Sequence, residues 1–162
     1  MLTNKRLEKK GVKKSIVLAL ISVFVFAAAG LAVAGNVETP TDPPEGVSIV
    51  SADRAKEMMK EHKMVVFDVR KALNFGKGHL PGAVSLPYKW TTKGDPSQRT
   101  GEFDMSKLPK DKKRPIVFHS DGPTGWKSYY ASKAAAEAGY KNVKWLREGY
   151  TLWSEKGYPV ER

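Results

Sequence analysis

Five short apolar runs alternate along the chain with segments of helical pattern. The runs hold the β-branched and aromatic residues typical of buried strands, and each is too short for a core helix. Ser51 and Gly139 suit a helix N-cap and a helix C-terminus. Residues 90–114 are polar and are expected to be irregular. We predict strands at 47–50, 64–67, 83–86, 116–119 and 143–146, helices at 52–61, 126–138 and 150–156, and one helical turn at 72–75.

This alternation predicts an α/β domain with a mainly parallel sheet. In such sheets ligands bind beyond the carboxyl ends of the strands. Two loops at that edge carry polar residues, 68–70 after the second predicted strand and 120–125 after the fourth. We therefore expect the functional site at these two loops.

The first 35 residues have the features of an export signal. Residues 1–14 are basic, residues 16–34 are apolar or small, and no charge lies between Lys14 and Glu38. An Ala-x-Ala pattern ends the stretch and predicts cleavage after Ala34. An uncleaved membrane anchor is the alternative, and a buried helix of a soluble protein is a third interpretation. The first two place the rest of the chain outside the cytoplasmic membrane, either in the periplasm or facing it.

The predicted organisation has three parts. Residues 1–35 are a signal peptide or N-terminal membrane anchor. Residues 36–46 hold three prolines and one glycine, which predicts a flexible linker. Residues 47–162 form the folded domain, and the chain contacts a membrane only if the first segment is retained.

Charge and composition limit the ligands and the reactions that we expect of this chain. The net charge is +11, of which residues 1–35 carry +5, and the remaining +6 favours an anionic ligand. No basic helix, zinc spacing or aromatic RNA-binding signature is present, so we expect no nucleic acid. The absence of cysteine excludes disulfides, thiolate metal sites and thiol nucleophiles. Three scattered histidines offer no metal-ligand spacing, and we expect neither a metal nor a cofactor.

Two longer motifs resemble the rhodanese-like family. The run FDVRKALNFGKGHLPGAVSLPY, residues 67–88, is similar to its Asp-x-Arg and Gly-His-x-Pro-Gly-Ala pattern. The run GYKNVKWLREGYTLWSEKGYPV, residues 139–160, is similar to its C-terminal signature. The resemblance covers about residues 47–160 and implies a rhodanese-like α/β fold, with a mainly parallel five-stranded sheet flanked by helices.

The resemblance also identifies what is missing. Rhodaneses carry sulfur as a persulfide on a cysteine that opens the loop after the fourth strand, and here that position is Ser120. The loop is similar to a subgroup with a second cysteine directly before Trp-Lys-Ser, where this chain has Gly125. We therefore expect no catalytic residue. The expected binding loop consists of Ser120, Asp121, Gly122, Pro123, Thr124, Gly125, Trp126 and Lys127.

The loop can still bind without its thiol. Free amides at a helix start form an anion site, and the helix is expected to begin near Trp126. Asp68 and Arg70, which match the family's Asp-x-Arg, are expected to support the loops by hydrogen bonds. A serine hydroxyl needs an adjacent general base, and His119 is expected to point to the opposite face of its strand. His79 is expected to be structural.

Three hypotheses follow. The first is a non-catalytic module that binds a small anion, a sulfur compound or a periplasmic protein. The second is a hydrolase that uses Ser120. The third is a sulfurtransferase or other thiol enzyme whose cysteines have been replaced in this chain.

Overall fold

The computed structural model describes residues 37–162, and the predicted export segment lies outside them. Its strands are β1 Val47–Ile49, β2 Val65–Asp68, β3 Val84–Ser85, β4 Lys89–Trp90, β5 Gly101–Glu102, β6 Ile116–His119 and β7 Val143–Leu146, and its α-helices are α1 Ala52–Lys60, α2 Ala72–Lys77, α3 Trp126–Glu137 and α4 Gly149–Glu155. Within residues 37–162, no helix combines the length and apolar character needed to cross a membrane.

Five strands form one parallel sheet in the order β1-β7-β6-β2-β3. This confirms the predicted fold class, and the strands lie where the apolar runs predicted them. The chain joins parallel neighbours through helices, because a parallel pair needs a crossover connection. The carboxyl ends of β2, β6 and β7 consequently meet at one edge of the sheet.

Helices cover both faces of the sheet, and β6 is therefore buried on both sides. Ile116 and Phe118 pack toward α3, whereas Val117 packs toward α1 and α4. Every residue of β6 is buried. A continuous apolar run is what a central parallel strand requires, and its alternation places His119 on the α1 and α4 side.

The predicted irregular region contains one additional element. β4 and β5 pair as an antiparallel ribbon, with Lys89 opposite Glu102 and Trp90 opposite Gly101. Strands of two residues show no alternation that a sequence pattern can reveal. Close packing fixes this ribbon, since a Cβ at Gly101 would lie 2.3 Å from the Tyr88 ring.

The described part of the predicted linker, residues 37–46, is bound to the domain. Thr39 is 3% exposed, Pro44 is buried, and the Pro44 carbonyl accepts a hydrogen bond from the Val47 amide. This differs from the expectation of a flexible linker. Proline also favours an extended backbone that can lie along a surface. The same composition is therefore compatible with a docked segment.

Candidate functional site

The loop of residues 120–125 begins where β6 ends, at the carboxyl edge of the sheet. α4 holds its first carbonyls: the Tyr150 amide donates to Ser120 O at 2.9 Å, and the Thr151 amide donates to Asp121 O at 2.8 Å. Gly149 makes this approach possible, because its φ is +62° and a Cβ there would lie 2.6 Å from Ser120 O. The first turn of α4 thus holds the start of the loop in place.

The Ser120 hydroxyl lies in a closed hydrogen-bond network. Ser120 is 2% exposed, and its Oγ lies 3.0 Å from both Gly125 O and Ser128 Oγ. Ser128 Oγ also donates to Gly125 O at 2.9 Å and accepts from the Trp145 indole nitrogen at 3.0 Å. Ser120 therefore meets a carbonyl and a hydroxyl, and no basic side chain of the described residues is its partner.

Gly125 is required by this arrangement. A Cβ at position 125 would lie 1.9 Å from Ser120 Oγ and 2.7 Å from Gly122 O. The loop also closes on itself there, since the Gly125 amide donates to Gly122 O at 2.7 Å and the Trp126 amide donates to Thr124 O at 3.0 Å. In this conformation the loop has no room for a side chain at the position of the second family cysteine.

Asp68 and Arg70 form a buried ion pair beside the loop. Asp68 is fully buried, Arg70 is 4% exposed, and Arg70 Nη2 lies 2.6 Å from Asp68 Oδ2. Asp68 Oδ1 accepts the Arg70 amide, while Arg70 Nη2 also donates to Gly78 O at 2.6 Å. The guanidinium lies 4.1 Å from the centre of the Tyr150 ring. The pair thus ties β2 to the end of α2 and to α4.

His119 is buried beneath the loop without contacting the Ser120 hydroxyl. Its Nδ1 lies 3.2 Å from Ser120 O, and its Nε2 lies 3.7 Å from Asp68 Oδ2 with no hydrogen-bond partner among the described residues. Burial lowers the pKa of His119, although the charge of Asp68 opposes the shift. The ring is therefore favoured in its neutral form, in which Nδ1–H donates to Ser120 O.

The start of α3 faces residues 37–40. Trp126 is 7% exposed, and its indole nitrogen donates to Val37 O at 2.8 Å. Lys127 is half-buried, and its pKa is lowered by burial and by nearby Lys71, whereas Asp121 acts in the opposite sense. Trp126 thus borders the loop surface as well as the core.

Residues 37–40 lie directly on the loop. The Thr39 amide and hydroxyl both donate to Pro123 O, at 2.8 and 2.6 Å. Arg147, which follows β7, donates to Thr39 O at 2.9 Å, to Pro40 O at 3.1 Å and to the Glu38 carboxylate at 3.1 Å. Arg147 Nε also donates to Thr39 Oγ1 at 3.2 Å. This segment of the chain therefore lies on Pro123 and Trp126 of the predicted binding loop, whereas Asp121 and Thr124 of that loop stay exposed.

Sequence reasoning missed Thr39, Ser128 and Arg147. Arg147 directly follows β7 at the carboxyl edge. The principle that ligands bind beyond the carboxyl ends of parallel strands, which selected residues 68–70 and 120–125, therefore applied to Arg147 as well. Ser128 belongs to the Trp-Lys-Ser motif. No pattern identified Thr39. Within residues 37–162, no group of three or more His, Asp or Glu side chains is placed to hold a metal ion.

Comparison with known proteins agrees with the resemblance to the rhodanese-like family. Residues 51–156 match the rhodanese-like domain family. The chain is 27% identical over 116 residues to the uncharacterized protein YibN of Escherichia coli, covering 72% of this chain and 73% of that protein. It is 29% identical over 126 residues to thiosulfate sulfurtransferase 16, chloroplastic, of Arabidopsis thaliana, covering 73% and 93%.

A solved structure supports the same fold. The thiosulfate sulfurtransferase of Pseudomonas aeruginosa superposes with a TM-score of 0.55 at 20% sequence identity. The match covers 72% of this chain but only 20% of the Pseudomonas protein. At this identity the similarity establishes the architecture of the domain.

Proposed function

The chain belongs to the rhodanese-like domain family, and we propose that it is a non-catalytic member that binds a partner at the loop of residues 120–125. The observation that carries this proposal is the state of Ser120. It holds the position of the sulfur-carrying cysteine, and its hydroxyl is buried and bonded to Gly125 O and Ser128 Oγ. A hydroxyl is not ionised near neutral pH and forms no stable persulfide, so sulfur transfer has no carrier.

The same geometry disfavours a serine hydrolase. A serine nucleophile needs a base within hydrogen-bond distance of its hydroxyl. The hydrogen-bond partners of Ser120 Oγ among the described residues are Gly125 O and Ser128 Oγ. The buried His119 ring approaches the Ser120 carbonyl instead.

The replaced-cysteine hypothesis requires a different loop conformation in the cysteine-containing form. A side chain at position 125 requires another loop conformation, because its Cβ would overlap Ser120 Oγ. The loop is therefore adapted to glycine at this position.

Among the three ligand classes considered, a polypeptide fits the loop best. The loop presents a carbonyl, Pro123 O, which accepts donors from an extended backbone. A small anion or anionic sulfur compound would need free amides at the loop, but the Gly125 and Trp126 amides already donate to Gly122 O and Thr124 O. Extended-peptide recognition through main-chain hydrogen bonds is a recurring mode of binding.

Thiosulfate:cyanide sulfurtransferase assays of the full chain test the loss of catalysis. We expect no turnover above background from the parent or from Ser120→Cys, because a thiol there faces the Gly125 carbonyl. Ser48→Cys, which adds a thiol on exposed β1, is the matched control. Turnover by the parent refutes the proposal. A gain confined to Ser120→Cys shows that the loop stabilises a persulfide and favours an anion ligand.

We also propose that the domain is exported, to the periplasm or to the outer face of the cytoplasmic membrane. The support is the order of basic residues, apolar residues and the Ala-x-Ala pattern in residues 1–35. Fractionation of cells that express a C-terminally tagged chain tests it. We expect tagged protein outside the cytoplasm, with a mature N-terminus at Gly35, whereas an anchored chain keeps Met1.

A further inference from the structure

Residues 37–40 bind the loop in the manner of a peptide ligand, and we propose that they occupy a recognition surface for a partner. The partner we infer is an extended polypeptide with a carboxylate, then threonine, then proline, as in Glu38–Pro40 of this chain. This inference rests on the proposed function and names its ligand. The recognition surface consists of Pro123, Trp126 and Arg147.

Main-chain atoms make most of the contacts. The Trp126 indole donates to Val37 O, the Thr39 amide donates to Pro123 O, and Arg147 donates to Thr39 O and Pro40 O. Such bonds recognise an extended backbone of any sequence. The same bonds can therefore form with a segment of another chain.

Side chains add selectivity at two positions. Thr39 is 3% exposed, and its hydroxyl donates to Pro123 O while it accepts from Arg147. Glu38 pairs with Arg147 at the surface, where the Arg147 side chain is 19% exposed and the Glu38 side chain 69%, so this ion pair adds a weaker preference. Val37, by contrast, is bound through its main-chain carbonyl, so we expect little selection of its side chain. The expected preference is for an acidic residue followed by threonine.

The chain's own segment competes with any partner. A tethered segment behaves as a ligand at roughly millimolar effective concentration. A partner therefore binds weakly while residues 37–40 are docked and more strongly once they are released. We therefore expect partner binding to be controlled by the release of residues 37–40 from the recognition surface.

The test uses a release variant of the full chain, Glu38→Ala with Thr39→Pro. Proline at position 39 removes both donors to Pro123 O, and the recognition surface stays intact. The probe is a blocked synthetic peptide of residues 36–42, NVETPTD. Amide NMR reports binding through the Trp126 indole N–H, while the indoles of Trp145 and Trp153, bonded to Ser128 Oγ and Pro159 O, verify the fold.

We expect the Trp126 indole resonance to shift in the release variant and to return on peptide addition. The parent should bind the peptide at least roughly tenfold more weakly, because its own segment competes. Peptides with valine for threonine, or glutamine for glutamate, should bind more weakly than NVETPTD. Adding Arg147→Ala to the release variant should weaken binding roughly tenfold or more, whereas Arg114→Ala at the opposite edge should not.

An unchanged Trp126 resonance up to about 10 mM peptide overturns the proposal, since that concentration exceeds the expected effective concentration. Equal binding by the Arg147→Ala variant overturns it as well. Should proline at position 39 prevent folding, Glu38→Ala with Thr39→Ala serves as the second release variant. Sulfurtransferase assays of the same samples separate the two proposals, because turnover refutes the non-catalytic role whether or not the peptide binds.

Discussion

The two edges of the parallel sheet are built in opposite ways. At the carboxyl edge, the Ser120 hydroxyl is hydrogen-bonded, the Asp68–Arg70 pair is buried, and residues 37–40 lie on the loop. At the amino edge a cavity of about 530 Å³ stays open, with apolar Met59, Met64 and Trp153 and basic Lys56, Lys60 and Arg114 among its lining residues.

The open cavity therefore lies away from Ser120, which stands at the position of the family's cysteine. The carboxyl edge carries Asp68, Arg70 and Ser120, which stand at the family's Asp-x-Arg and cysteine positions, and residues 37–40 lie on that edge. Its polar groups depend on one another in a buried setting, where an unpaired group is costly. Substitutions should therefore cost more at the carboxyl edge than at the amino edge.

The largest expected difference concerns the buried ion pair. Asp68→Ala leaves the Arg70 guanidinium buried and unpaired, and we expect a loss of about 3–5 kcal/mol in the free energy of unfolding. Glu161→Ala is the amino-edge control, because the Glu161 side chain is 55% exposed, and it should cost less than about 1 kcal/mol. Urea unfolding of both variants measures the difference, and equal losses contradict the contrast between the edges.

A smaller effect is expected at the loop glycine. Gly125→Ala places a Cβ 1.9 Å from Ser120 Oγ and must move the loop, at a cost of roughly 1–3 kcal/mol. The matched substitution is Gly76→Ala in α2, where a Cβ meets nothing within 4 Å, and it should stabilise by about 0.5–1 kcal/mol. Thermal unfolding compares the two, and a neutral Gly125→Ala would show that the loop is loosely held.

The buried His119 makes a pH-dependent contribution to the free energy of unfolding. Burial lowers the pKa of His119 below its ordinary value of 6.5, so the unfolded chain binds its proton more readily than the folded chain. Stability is then full above pH 6.5 and falls as the pH drops below it. We expect His119→Gln to flatten this slope in urea unfolding between about pH 5 and 7. An unchanged slope in His119→Gln would contradict this account.

The sequence predicted the sheet because each strand is a buried apolar run. It predicted the loop because the family motifs fix Asp68, Arg70 and Ser120 at the carboxyl edge. It did not predict the contacts of the loop, because these join residues far apart in the chain. Arg147 and Thr39 are 108 positions apart, and neither position has a local pattern that marks it.

The linker prediction shows a second limit of what composition can predict. Three prolines among residues 36–46 are compatible with a free spacer and with a docked extended segment. What separates the two is whether a surface offers partners to the backbone. Here Pro123 O, the Trp126 indole and the Arg147 guanidinium do so, and all three belong to elements that fold around the loop.

The smallest expected effect lies at the amino edge and has the opposite sign. His62 follows α1 with a φ of 52°, and its amide donates to Met59 O. A glycine adopts this left-handed conformation without steric cost. His62→Gly should therefore stabilise the domain by about 0.5–1 kcal/mol. Glu61→Gly, one residue earlier at a φ of −83°, gains no such relief and should destabilise it. Thermal unfolding distinguishes the two, and a loss with His62→Gly would show that the imidazole contributes contacts that outweigh its backbone strain.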